Sequence, residues 1–171
     1  MGWGVVEYAG NRFAPVDFGA VCTDAGVPFE RRLDEVYTGI KEVIERTKPE
    51  VLAIEKLFYQ HNQTTVIGVA EARGVILLAA AQAGLPIYEY TPMQVKQAVV
   101  GYGKAEKHQV QEMVKNILHL SEIPKPDDTA DAVALAICHG HSSGSQLSRL
   151  IAKANANDGA MGKILHKTYG E

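Results

Sequence analysis

The sequence predicts an α/β domain in which a mixed sheet is covered by helices. Three observations carry that expectation. Two β-like runs near the amino end are joined by a turn signal, Ala9-Gly10-Asn11. Two later short apolar runs, Val51 to Ile54 and Pro86 to Tyr90, are each preceded by a longer stretch of helical character. Further helical segments then follow in series, so strands and helices must pack as layers around one core.

The elements follow in order. Gly4 to Tyr8 and Arg12 to Thr23 form an opening hairpin. Pro28 starts a helix whose Leu33, Val36, Tyr37, Ile40, Val43 and Ile44 recur at helical spacing. Pro49 precedes a short buried strand, Val51 to Ile54, that stops at Glu55. Thr64 to Ala83 reads as a long apolar helix ended by Gly84, and Pro86 to Tyr90 as a strand. Thr91-Pro92 has the cap-then-proline order of a helix start, and that helix runs to Val100. Gly101-Tyr102-Gly103 interrupts it, and Ala105 to Leu120 resumes with Val110, Met113, Val114, Ile117 and Leu118 on one face. Pro124-Lys125-Pro126 is a rigid connector into an alanine-rich helix, Asp127 to His139. The expected organisation is one domain over 1–141 and a basic, flexible tail over 142–171, with a short helix inside it from Gln146 to Ala154.

Composition narrows the function. Hydrophobic residues make up 46% and charged residues 22% of 171, which suits a globular chain with its own core. The longest apolar run, Val75 to Ala81, is far short of the ~20 residues that span a bilayer. With no signal-peptide core at its start, the chain is expected to be cytoplasmic. Cys22 and Cys138, the two cysteines, suggest neither a disulfide framework nor a zinc ribbon. A net charge of −3 excludes a polybasic binder, but the charge is segregated. Residues 93–125 carry Lys96, Lys104, Lys107, Lys115 and Lys125 against Glu106, Glu112 and Glu122. Such a balance suits solvated helix faces and also a phosphate-facing surface.

Two acidic positions stand out. Glu55 ends an apolar strand, and ligands in α/β folds collect at the carboxyl ends of strands. Pairing with Lys56 is the plainer explanation. Asp127, Asp128 and Asp131 open a helix, where capping and the helix dipole already favour carboxylates. Asp128 and Asp131, three apart, also share one face, and two such oxygens suit Mg²⁺ or Mn²⁺ better than zinc.

Several segments then identify a resemblance. Val51-Leu52-Ala53-Ile54-Glu55-Lys56-Leu57-Phe58, Glu71-Ala72-Arg73-Gly74, the block from Gln94 to Lys107, Gln109-Val110-Gln111 and Asp128-Thr129-Ala130-Asp131-Ala132 closely resemble the RuvC-type Holliday-junction resolvases. The likeness runs from Gly2 to about His141, in family order and spacing. It implies an RNase H-like fold and a homodimer that nicks opposed strands of a four-way DNA junction in recombination and repair. It also implies Mg²⁺ as cofactor, two ions per subunit with Mn²⁺ as substitute, and a branch-migration helicase complex as partner. By resemblance, Glu55, Asp128 and Asp131 are the catalytic, metal-binding carboxylates. Phe58 is the aromatic near the junction centre, and Lys96, Lys104 and Lys107 are basic positions near the scissile phosphate.

One departure matters. Family members begin with a strand ending in Asp-Pro-Gly, whose aspartate is the first metal ligand, and no Asp-Pro-Gly occurs here. In the family that strand lies centrally, between the strands corresponding to those around Val5 and Val51 to Ile54. The expectation is an upstream reading frame that encodes it. The alternative is a protein that binds junctions without cutting them. An RNase H-like phosphotransferase is a weaker rival, because the glycine-rich phosphate loops it needs are missing from the sequence.

Overall fold

The computed structural model describes residues 1–57 and 63–156, and only the backbone for 63–65 and 145–156. The opening hairpin is present as β1 (Gly2–Ala9) and β2 (Arg12–Ala20), paired antiparallel. Between Val5 and Val6 the register shifts, so Val16 is the extra residue of a bulge beside Pro15, which has no N–H to give. The second pair, β3 (Leu52–Glu55) and β4 (Ile87–Tyr90), is parallel, with Glu55 opposite Tyr90.

The mixed sheet lacks the central strand whose absence the sequence implies, so its described strands fall into two pairs. Among the described residues β1 and β2 form one two-stranded sheet, and β3 and β4 form another. A cavity of about 940 Å³ separates them, lined on one side by Met1 to Tyr8 and on the other by Val51 to Ile54.

Helix α1 (Phe29–Thr47) buries Val36, Ile40 and Val43 on one stripe and ends with Lys48 in the left-handed conformation. Arg46 fixes its carboxyl end to the hairpin: it pairs with Asp17 at 2.7 Å and lies 5.5 Å from the Trp3 ring centre. Helix α2 (Gln63–Gln82) packs on α1, where the Phe29 ring sits beside Gly68 and Tyr37 donates to Gln82 at 2.6 Å. Helix α3 (Pro92–Val100) has the predicted start: Thr91 and Gln94 each hold the other's backbone N–H, at 3.1 and 2.8 Å. Helix α4 (Lys107–Ile117) follows, and then α5 (Asp127–Ala156).

The core lies where α3, α4 and α5 meet, around Val95, Val99, Val110, Val114, Val133 and Ile137. Helix α5 also backs both sheets. Gly2 and Gly4 allow β1 its close approach, since a Cβ on either would strike Asp128 or Val133. At the other end of β1, Tyr8 reaches Gly140 and Gly144, so β1 runs in the same sense as α5.

Helix α5 does not stop at His139 as its composition suggests. It passes straight through the expected boundary at 141/142 and continues to Ala156, while residues 157–171 lie outside the described residues. Ser142 and Ser143 are accommodated by donating back to the carbonyls of Cys138 and Gly140, at 2.8 and 3.0 Å. His141 is tied by its Nδ1 to the Ala98 carbonyl at 2.9 Å and lies edge-on to Phe13. These contacts reward helix where glycine and serine alone would end it.

Candidate functional site

Glu55 is the last residue of β3 and its side chain is partly open to solvent. Its carboxyl is held above the usual carboxylate range, first by burial and then by the negative charge of Asp131. Two carboxylates from separate elements are thus near enough to repel. The local pairing with Lys56 is not formed; among the described residues no ion pair engages Glu55. Its backbone carbonyl instead faces Arg73 of α2, whose Nε lies 3.4 Å away and whose guanidinium pairs with Glu89 of β4. Arg73 therefore clamps β3, β4 and α2 together at the strand ends that carry Glu55.

The opposing acids come from the first turns of α5. Asp127 and Asp128 sit where the free N–H groups and the dipole favour negative charge. Thr129, fully buried, donates to the Gly19 carbonyl at 3.1 Å and pins this helix start to β2. Asp128 is two-thirds exposed and faces the Met1 ammonium at 4.0 Å. Asp131, one turn on, is half-exposed.

Lys107 completes the group. Its Nζ lies 3.2 Å from Asp127 and 3.3 Å from Asp131, and these carboxylates hold its pKa up, Asp127 first. The residue opens α4, and a cation at a helix N-terminus opposes the dipole. Helix stability does not explain a lysine there; the acids of α5 do.

The donor set fits a hard cation in kind: it offers carboxylate oxygens, and an ammonium group is already drawn to them. It falls short in number. Among the described residues no three acidic, histidine or cysteine side chains close on a common point. Glu55 and Asp131 meet electrostatically, whereas Asp128 turns toward Met1.

The remaining predicted residues are dispersed. Lys96 is half-buried on α3, and Lys104 lines a separate cavity of about 500 Å³ with Tyr90, Met93 and Cys138. Among the described residues neither pairs with the carboxylates, so of the three lysines the structure brings only Lys107 to the acids. Phe58 lies outside the described residues. Much of the specific Gln94 to Gln111 pattern proves architectural. Gln94 caps α3, and Gln109 accepts from the Glu106 N–H at 2.8 Å and the Tyr102 hydroxyl at 2.7 Å, fastening the loop that carries Lys104. Sequence reasoning gave Asp127 only a capping role and gave Arg73 and Thr129 none. Their partners lie in distant segments, so only Arg73's place in the Glu-Ala-Arg-Gly run hinted at it.

An α/β domain of this layout, with acids meeting between a strand end and a helix start, belongs to the RNase H-like class. Two solved structures share the fold: Thermus thermophilus RuvC, at TM-score 0.77 and 36% identity over 84% of this chain and 88% of that one, and T. thermophilus RuvC in complex with Holliday junction substrate, at 0.77 and 34% over the same shares. The family model for crossover junction endodeoxyribonuclease RuvC matches residues 1–139, and the chain belongs to that family. Two curated relatives carry that same description. The protein from Caldanaerobacter subterraneus subsp. tengcongensis is 57% identical over 150 residues, covering 88% of this chain and 90% of its own. That from Desulfitobacterium hafniense is 57% identical over 142 residues, covering 83% and 86%.

Proposed function

We propose that this chain is a structure-specific endonuclease that resolves four-way DNA junctions by hydrolysing phosphodiester bonds on opposed strands. The observation that carries the reading is the meeting of Glu55 with Asp131 beside Lys107, in a chain that is 57% identical over 150 residues to a crossover junction endodeoxyribonuclease. The solved relative bound to Holliday junction substrate supports the same choice of DNA.

Glu55, Asp128 and Asp131 would hold divalent metal, with Mg²⁺ as the cofactor. Such ions, when bound, supply an activated water and stabilise a leaving 3′-oxygen. The chain's own residues do the rest. Arg73 and Thr129 fix the strand end and helix start that present the carboxylates. Lys107, held beside Asp127 and Asp131, would place its charge near the phosphate and offset the charge that develops during cleavage. Lys96, Lys104 and Phe58 belong to the wider DNA surface. Phosphate contacts position the duplex arms, and aromatic stacking suits the unpaired centre.

A junction has two equivalent strands to cut, so a twofold homodimer matches it. Helix α2 supports a dimer surface there. Ile67 and Leu78 are 62% and 52% exposed, and Gly74, with open space over its Cβ position, lies between them on one face. A cytoplasmic setting and a branch-migration helicase partner complete the proposal.

The test is cutting of a synthetic four-way junction in Mg²⁺, by this chain alone and by the chain preceded by the strand with which the family begins. Paired nicks in either arm support the assignment, and junction binding with no cutting in both overturns it. In whichever form cuts, Glu55→Gln and Asp131→Asn should abolish nicking and leave junction binding intact. Near wild-type cutting by Glu55→Gln would remove Glu55 from the metal site.

A further inference from the structure

The three acids that open α5 have different neighbours. Asp128 faces the Met1 ammonium at 4.0 Å, and Asp131 helps raise the pKa of Glu55 while lying 3.3 Å from Lys107. Asp127 meets Lys107 at 3.2 Å, and among the described residues its carboxylate forms no other ion pair. Capping does not account for it, since the Thr129 N–H at this helix start goes to the Pro126 carbonyl at 2.8 Å. Asp127 is thus the one acid of the three whose partner is Lys107 alone.

Asp127 and Asp131 are four residues apart, so they stand one helical turn from each other on one side of α5. The Lys107 Nζ sits between them at nearly equal distances. A lysine stem is long and flexible, and a single exposed partner leaves its ammonium free to swing. Two carboxylates on one rigid helix fix where the nitrogen lies. The free N–H groups at the start of α4 repel that ammonium, which favours the side on which α5 holds it. An ammonium has three N–H donors, so two acids leave one for a further oxygen. All three side chains are about half-exposed or more, and a phosphate can reach that donor.

We propose that Asp127 is a positioning residue for junction cutting: it holds the Lys107 ammonium at the border of the Glu55–Asp131 pair and leaves one of its N–H groups for the phosphate. The proposal rests on the nuclease reading above, in which Asp131 belongs to the metal-binding acids and Lys107 offsets charge at the phosphate. Asp127 is then the member of the fork with no second duty. It acts through the lysine and touches neither metal nor DNA. Affinity gives no reason for such an acid, because a carboxylate beside a DNA backbone repels it. Placement of the lysine does.

The test reads order and chemistry separately. In the full chain without metal or DNA, nitrogen-15 relaxation of the lysine ammonium groups reports how tightly each Nζ is held. Asp127→Asn should lower the Lys107 order parameter to that of Lys48, which is exposed and without an ion pair among the described residues, and Asp127→Glu should preserve most of it. Cutting of a synthetic four-way junction in Mg²⁺ is then followed in single turnovers, in whichever form of the chain cuts. Asp127→Asn should slow it about tenfold without weakening junction binding, and Asp127→Glu should recover most of the rate. In a Lys107→Met background Asp127→Asn should cost nothing further, because the two residues act as one unit. An unchanged Lys107 order parameter in Asp127→Asn overturns the proposal, as does a rate loss that adds to that of Lys107→Met. Tighter junction binding at an unchanged rate would make Asp127 only a charge facing DNA, and overturns it too. Absence of cutting by every form would count against the nuclease reading, whereas the relaxation result decides by itself whether Asp127 holds the lysine.

Discussion

Lys107 shows how partners on another element can hold a side chain against its own element's preference. The two carboxylates beside it lie on α5, so the ion pairs join α4 to α5 across exposed surface, and exposed pairs contribute at most about 1 kcal/mol. Lys107→Met should therefore lower unfolding free energy by less than ~1 kcal/mol while slowing junction cutting about 10²-fold, the usual cost of losing one charge-stabilising donor. Denaturant melts and single-turnover cutting assays check the two halves, and a large stability loss with unchanged cutting would contradict the role. His139 offers a second test at this scale. Burial lowers its pKa, and its Nδ1 is 2.8 Å from the Tyr90 hydroxyl. The unfolded chain binds a proton on this histidine near pH 6.5, where the folded chain resists it. Stability should be full above that value and fall as the pH drops toward the lowered folded pKa. Melts between pH 7.5 and 5 should show that slope, and His139→Gln should flatten it.

At the scale of elements, α3 and α4 are anchored by caps and by valines. Thr91→Ala removes the acceptor for the Gln94 N–H and should cost about 1 kcal/mol, measurable by urea unfolding. Gln111 runs the other way. It is buried on α4, and among the described residues its Nε2 has no hydrogen-bond partner. Gln111→Met keeps similar length without an amide to desolvate, and should gain on the order of 1 kcal/mol. An unchanged or lower urea midpoint would mean that the amide is satisfied in solution.

At the scale of the whole molecule, α2 presents an apolar stripe that the core does not cover among the described residues. Ile67, Gly74 and Leu78 fall on one face, with Ala79 and Ala80 turned inward. Leu78→Asp should yield a folded monomer that nicks junctions singly instead of in pairs. Sedimentation at micromolar concentration and a plasmid-borne junction assay would show it. A wild-type monomer making coordinated nicks would exclude a dimer as the source of pairing. Val69 is a poorer choice, because helical spacing places it away from that stripe although it is 49% exposed.

By itself the sequence determined the order of the elements, because hydrophobic period, caps and breakers are local. The hairpin turn, the stop at Gly84, the Thr91-Pro92 start and the Pro124-Lys125-Pro126 connector all fell within a few residues of their places. Glu55 and Asp131 were legible as acids at a strand end and a helix start. Their meeting was not, since no local rule measures the distance between β3 and α5. Tertiary structure alone decided that Lys107, rather than Lys96 or Lys104, sits among the acids. It carried α5 past His139, because packing against Tyr8, Phe13 and Ala98 outweighs the weak helix preference of Gly140, Ser142 and Ser143. The unpaired edges of β1 and β3 were expected from the missing central strand, since a ladder exists only where a second backbone lies beside the first; tertiary structure alone decided the size of the gap, a cavity of about 940 Å³.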